Sequence, residues 1–131
     1  MKRVNKPWGH ELIWAHTPHY VGKILHIREG HKLSRQFHVK KEETILVLQG
    51  NLVLETGEGD SVRTTILEPQ QSYHIPPRTI HRFCATAGGD VRLVEASTPE
   101  LDDVVRLQDD YDRRTAQDVP IIPPNLDYDD S

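Results

Sequence analysis

Four side chains that can hold a divalent cation stand at suggestive spacings. Gln36 and His38 are two apart, Glu43 follows five residues later, and His81 comes after the double proline Pro76-Pro77. In an extended strand, residues two apart project to one face, so Gln36 and His38 point together while Phe37 points away. Glu43 is an odd number of residues beyond His38, and the polar run between them is where a turn or bulge has to reset the phase. Two imidazoles, a carboxylate and an amide carbonyl suit several divalent ions: zinc is taken first, with manganese, iron, cobalt or nickel as the alternatives. An ordinary reading stands beside this one, because amides are poor ligands for transition metals and isolated histidines usually belong to the surface or the core edge.

The elements that must carry these residues read as strands. From Tyr20 onward, short apolar segments such as "YVGKILHI", "TILVLQG", "NLVLETGEG", "HRFCAT" and "VRLVEAS" are separated by turn residues. They recur roughly every eight to twelve positions, the pattern of an antiparallel sandwich or barrel. The expected fold is all-β, in one domain. Gly50-Asn51 reads as a hairpin turn. Beyond Glu43, Ile45 and Val47 continue one face and Leu46 and Leu48 the other, both apolar. The one candidate helix lies in "PELDDVVRLQDDYDRR", where Leu101, Val104, Val105 and Leu107 can share a face, with a strand-like excursion as the alternative. The β-domain is taken as 1–117, and 118–131 as a Pro-rich acidic tail, whose Ile121 and Ile122 would be unusual in a free chain end.

Bulk properties narrow the function. A chain of 131 residues holds one real core. A net charge of -4 gives no cationic field for phosphodiester backbones, so a small molecule rather than nucleic acid is the expected partner. The single cysteine, Cys84, rules out an internal disulfide framework and a Cys-rich zinc site. No apolar stretch approaches the ~20 residues that span a bilayer, and no signal peptide is read at the N-terminus. The expectation is a cytoplasmic protein with no membrane partner.

The spacing resembles the cupin family. Gly30, Gln36-x-His38, Glu43 and Gly50 follow its first motif with Gln in place of the first His, and Pro76, Pro77 and His81 follow its second, although Gln70 and Arg78 stand where that motif has glycines. The resemblance implies a single double-stranded β-helix, or jelly-roll, barrel. Within the cupins, the sequence is similar to the isomerase domain of type II phosphomannose isomerases, the C-terminal half of bifunctional mannose-1-phosphate guanylyltransferases. Pro7-Trp8-Gly9, Gln36-Phe37-His38, Ile75 through His81 and "VRLQDDYDR" carry that likeness. It implies metal binding through Gln36, His38, Glu43 and His81. It also implies aldose–ketose isomerisation of a sugar or sugar phosphate, resembling mannose-6-phosphate isomerase.

Glu95 is then the expected base, since its strand alternates Val91, Leu93, Glu95 on one face and the matching strand of the family ends in a glutamate. Lys23 matches a family lysine that would hold phosphate or stabilise enediolate charge. Arg78 and Arg82 are further phosphate candidates, and His26 and His74 are alternates for the base or for an outer partner. Trp8 and Trp14 read as packing residues. The length leaves no room for a nucleotidyltransferase half, so no guanylyltransferase role is expected. A metal-dependent oxygenase and a non-catalytic metal- and carbohydrate-binding cupin are the rival functions, and a homodimer is expected because small cupins generally pair through their sheets.

Overall fold

Alternation of buried and open residues writes the sheets into the chain. Val21, Lys23, Leu25 and Ile27 turn inward from one strand, and Val91, Leu93, Glu95 and Ser97 from its neighbour. The computed structural model describes residues 1–111. Its strands are β1 (Lys2–Lys6), β2 (Gly9–His16), β3 (Val21–Ile27), β4 (Arg35–Phe37), β5 (Glu43–Gln49), β6 (Leu52–Thr56), β7 (Arg63–Leu67), β8 (Ser72–Ile75), β9 (His81–Ala85), β10 (Val91–Ser97) and β11 (Val105–Gln108). Six of them form one sheet in the order β1-β2-β3-β10-β5-β8, and five form a second in the order β11-β4-β9-β6-β7. The strand pairs are antiparallel. This is the jelly-roll sandwich that the spacing and the resemblance predict.

The inward faces meet in one core of Trp8, Leu25, Ile27, Ile45, Val47, Leu52, Leu54, Ile75, Phe83, Val91 and Leu93, among others. Each such side chain contributes roughly 1.5–3 kcal/mol by leaving water. Trp8 is fully enclosed and ties down the N-terminal strands, as expected of a packing residue. Trp14 lies on the outer surface instead, its indole against the backbone of Gly22, with 49% of it exposed.

Three local expectations are corrected. Gly50-Asn51 does not close a hairpin: β5 and β6 belong to different sheets, because β5 is flanked by β10 and β8, and β6 by β7 and β9. The bend hands the chain from one layer to the other. Leu46 and Leu48 do not enter a second layer; they lie on the outer face at 39% and 42% exposure, while Ile45 and Val47 fill the core. The helical reading of the stretch after Pro99 gives way to its strand-like alternative: the chain is β11 from Val105 to Gln108, since the open edge of β4 takes up its backbone groups, pairing Val105 with Phe37 and Arg106 with Gln36. Apart from one 3-10 turn, Gly59–Ser61, the described residues contain no helix. The expected tail, 118–131, lies outside the described residues.

The two departures from the cupin glycines have a backbone consequence. Gln70 and Arg78 carry φ values of 73° and 65°, so both turns keep the left-handed conformation that glycine would adopt freely. A side chain there costs of order 1 kcal/mol or more. At Arg78 the strained turn makes a specific contact, its N–H donating to the His38 carbonyl at 2.6 Å.

Candidate metal centre

The two sheets bring the ligand candidates together from opposite layers. Glu43 opens β5 in one sheet. Gln36 lies in β4 and His81 opens β9 in the other, directly opposite each other in register, and His38 follows β4. The odd spacing between His38 and Glu43 is resolved because the 38–42 segment crosses between layers. All four residues are at least 94% enclosed, with exposures of 6% for Gln36, 4% for His38, 2% for Glu43 and 1% for His81.

Hydrogen bonding fixes which histidine atoms face the centre. His38 Nδ1 lies 2.6 Å from the Asp103 carbonyl and His81 Nδ1 lies 2.8 Å from the Thr79 carbonyl. A carbonyl only accepts, so both Nδ1 atoms carry a proton, and Nε2 of each ring is the nitrogen that faces the centre. Those Nε2 atoms stand 3.8 Å and 3.2 Å from Glu43 Oε1. Neither Nε2 nor either Glu43 oxygen has a hydrogen-bond partner, although all four are buried. Two imidazole nitrogens and a buried carboxylate in this arrangement are the donor types that bind a divalent cation.

The donor set therefore fits a divalent ion held by His38, Glu43 and His81, whose ligand atoms all lie within 4.8 Å of one another. Gln36 Oε1 accepts the Ser34 hydroxyl at 2.8 Å. Gln36 is the register partner of His81, so its backbone lies beside the cluster.

A buried chain of charges continues inward. Lys41 Nζ lies 3.2 Å from Glu43 Oε2 and 3.1 Å from Glu95 Oε2, while Lys23 Nζ lies 3.1 Å from Glu11 Oε1. Glu95 and Lys23 are register partners on β10 and β3. Signs thus alternate from Glu11 through Lys23, Glu95 and Lys41 to Glu43. Burial pushes the Glu95 carboxyl up, and the neighbouring Glu43 charge adds to this against the pull of Lys41 and Lys23. Burial also opposes ionisation of Glu43, but the Lys41 ammonium and the contacts from His38 and His81 override it and hold that carboxyl well below the usual range. Burial works against the Lys41 charge too, and the two carboxylates overcome it, raising the ammonium above its ordinary value.

The structure places the other sequence candidates elsewhere. Arg82 is buried, with Nε donating to the Leu33 carbonyl at 2.8 Å and a terminal nitrogen to Asp110 at 2.6 Å. Arg78 is exposed on its turn. His26 is bound to Asp90 at 2.8 Å and His74 to Glu42, both away from the ligand cluster. Lys23 is only 1% exposed and belongs to the interior.

Lys41, Glu11, Arg106 and Asp103 were not singled out from the sequence. Lys41 had a signal, since it is two residues before Glu43 and shares its parity. Arg106 is 3% exposed and opposite Gln36 in register. Asp103 accepts the N–H groups of Val39, Lys40 and Lys41 at 3.0, 2.6 and 2.9 Å, and nothing in the linear spacing points to it.

Residues 1–109 match the family described as mannose-6-phosphate isomerase C-terminal. The chain belongs to that family. It is 26% identical over 110 residues to the mannose-1-phosphate guanylyltransferase RfbM of Salmonella typhimurium, an alignment covering 82% of this chain and 22% of that protein. It is 32% identical over 108 residues to a D-lyxose/D-mannose isomerase of Escherichia coli O157:H7, covering 64% of this chain and 48% of that protein. The chain thus spans less than half the length of either relative. Its fold is shared with a cupin superfamily protein from Desulfitobacterium hafniense, at a TM-score of 0.58 and 16% identity over 67% of this chain and 74% of the other. Among the described residues, no helix is long and apolar enough to cross a membrane.

Proposed function

We propose that the protein is a metal-dependent aldose–ketose isomerase acting on a sugar or sugar phosphate of the mannose type. The observation that carries this reading is the convergence of two imidazole Nε2 atoms and a carboxylate in a buried site, with a second carboxyl, Glu95, one ammonium away. A divalent ion held by His38, Glu43 and His81, with Gln36 as the fourth donor, would supply Lewis-acid polarisation to the carbonyl and hydroxyl oxygens of an open-chain substrate.

Glu95 serves as the base. Its carboxylate takes the proton from C2 of the aldose, the electrons of that C–H bond form the C1–C2 double bond of an enediol, and the carbonyl oxygen gains a proton. Return of the carbon-bound proton to C1, with loss of the O2 proton, leaves the ketose. A base whose affinity for protons is raised by burial suits this shuttle. Lys23 and Lys41 flank Glu95 and offset enediolate charge, and the enclosure of the site keeps water from the enediol.

The test is interconversion of mannose 6-phosphate and fructose 6-phosphate, and of free mannose and fructose. It uses metal-stripped protein reconstituted separately with zinc, manganese, iron, cobalt and nickel. Turnover with at least one metal, abolished in His81→Ala, supports the isomerase. No turnover from protein carrying one metal per chain would overturn it and move the assignment to an oxygenase or a non-catalytic carbohydrate binder.

The same reading includes a cytoplasmic homodimer. Its support is a row of apolar residues on the outer face of the larger sheet, where Leu12, Ile24, Val94 and Leu46 are consecutive register partners across four strands. Light scattering showing a monomer at micromolar concentration would remove that part.

A further inference from the structure

A second polar site lies on the outer face of the larger sheet, away from the candidate metal centre. Asn5, His10, His26 and Arg92 form a row of register partners across β1, β2, β3 and β10. A hollow of about 430 Å³ opens beside this row, lined among others by Arg3, Lys6, Arg28, His10, His26 and Asp90. Two guanidinium groups, Arg3 and Arg28, thus line the hollow with one carboxylate, in a chain whose net charge is -4.

That carboxylate is already engaged. Asp90 Oδ1 accepts the Glu29 N–H at 2.8 Å, and Oδ2 accepts from His26 Nε2 at the same distance. The His10 ring stacks on His26 with centroids 5.1 Å apart, and an Arg3 guanidinium nitrogen comes within 3.5 Å of His10 Nδ1. Arg28 is oriented by donating to the Pro7 carbonyl at 2.9 Å. Glycine at position 9 is obligatory here, because a Cβ would come within 1.9 Å of the His26 carbonyl.

We propose that this hollow is an anion-binding site for a phosphate group, free or carried as a monoester on a small molecule. Guanidinium groups offer paired donors that match phosphate oxygens, and a concave site concentrates their field. Burial and the neighbouring charges of Arg3, His26 and Arg92 depress His10, which disfavours the positively charged ring. The charged and titratable groups around this ring are Arg3 from β1, His26 from β3, Arg28 after β3, and Asp90 and Arg92 at the start of β10. A bound dianion opposes the cationic members and favours the protonated ring, so binding should draw a proton onto His10.

The test is a titration of the full chain with inorganic phosphate and, separately, with mannose 6-phosphate, followed through the ring resonances of His10 and His26. Chloride at matched ionic strength is the control. Saturable shifts in both rings, and a higher apparent pKa for His10 with phosphate than with chloride, are expected. Arg3→Gln should weaken binding about tenfold, the loss of one charge-assisted contact. His10→Gln should bind while losing the linked proton uptake, and His38→Ala should bind as the parent does. Tighter binding of mannose 6-phosphate than of inorganic phosphate would assign the sugar phosphate; equal affinities would assign free phosphate. Absence of saturable shifts at tens of millimolar phosphate, or shifts unchanged in a folded Arg3→Gln, would overturn the proposal.

Discussion

Replacing Lys41 with methionine should expose the electrostatic logic of the buried centre. The ammonium sits between two carboxylates, 3.2 Å from Glu43 and 3.1 Å from Glu95, and the three residues are 2–4% exposed. At an effective dielectric of 20, each attraction is worth about 5 kcal/mol, and desolvating the ammonium costs several kcal/mol in return. Removing it leaves two buried carboxylates facing each other, for an expected net loss of about 3–5 kcal/mol.

The loss depends on pH with a definite sign. Without Lys41 one carboxyl must keep its proton in the native state, while the unfolded chain releases that proton above its ordinary carboxylate value. The native state then binds more protons, and stability falls with rising pH by up to ~1.4 kcal/mol per unit. Guanidinium denaturation of metal-stripped protein at about pH 5.5 and about pH 8 reads this slope directly. The double variant Lys41→Met/Glu95→Gln removes one of the two opposed charges and should recover more than 1 kcal/mol relative to additivity. Zinc in ~100-fold excess over its Kd should restore about 2.7 kcal/mol to the single variant, since the ion now neutralises Glu43. A Lys41→Met protein within about 1 kcal/mol of the parent at both pH values, or strict additivity in the cycle, would refute the coupling.

Other expectations follow from the same geometry. Glu95→Gln should keep metal stoichiometry by elemental analysis and lower kcat for mannose 6-phosphate by about 10²–10⁴, the contribution of a positioned base. Asp103→Ala should cost ~1–3 kcal/mol in chemical denaturation, because three backbone N–H groups lose a charged acceptor at a half-buried position. The same carboxylate sets an acid limit: burial opposes its ionisation, but the N–H groups of Lys40, Lys41 and Val39 hold it below 3.8, so its stabilisation is present above that value and lost as pH falls further. An acid titration of stability that is no shallower in Asp103→Ala than in the parent would contradict this. Gly50→Ala should destabilise by at least ~2 kcal/mol, since φ is +78° and the new Cβ would stand 2.2 Å from the Asp90 carbonyl; a thermal midpoint equal to the parent's would refute it.

The fold was legible because strand parity is local. Val91, Leu93 and Glu95 could be put on one face without any knowledge of their neighbours, and Gln36 and His38 likewise. What parity could not reveal was which sheet a strand would join. Gly50-Asn51 has the residues of a hairpin, yet strand pairing is decided by edges that become available elsewhere, so the same turn became a passage between layers. Leu46 and Leu48 were misplaced for the same reason: an apolar face states only that burial is favourable, not that this chain supplies the cover. Lys41 was hidden by composition, as "VKKEE" reads as a solvated turn until Glu43 and Glu95 are placed on either side of it. Asp103 left no trace, because its partners are backbone amides 62 to 64 residues away.

The second contacts of the ligands separate this centre from an accidental cluster. Asp103 acts twice, its carbonyl fixing the His38 proton on Nδ1 and its carboxylate gathering the amides of 39–41, the backbone that carries Lys41. Arg78, held in a left-handed turn, donates its N–H to the His38 carbonyl, and the Thr79 carbonyl beside it fixes the proton of His81. One turn and one loop therefore orient both imidazoles through the atoms that do not face the centre. On the side that does, Nε2 of each histidine faces Glu43 Oε1, while Glu43 Oε2 pairs with Lys41. Nδ1 of each ring is committed to a backbone carbonyl, and the nitrogen left to each ring, Nε2, converges on the same carboxylate oxygen. Metal affinity should accordingly respond to Asp103 and to the 76–79 turn, although neither supplies a ligand atom.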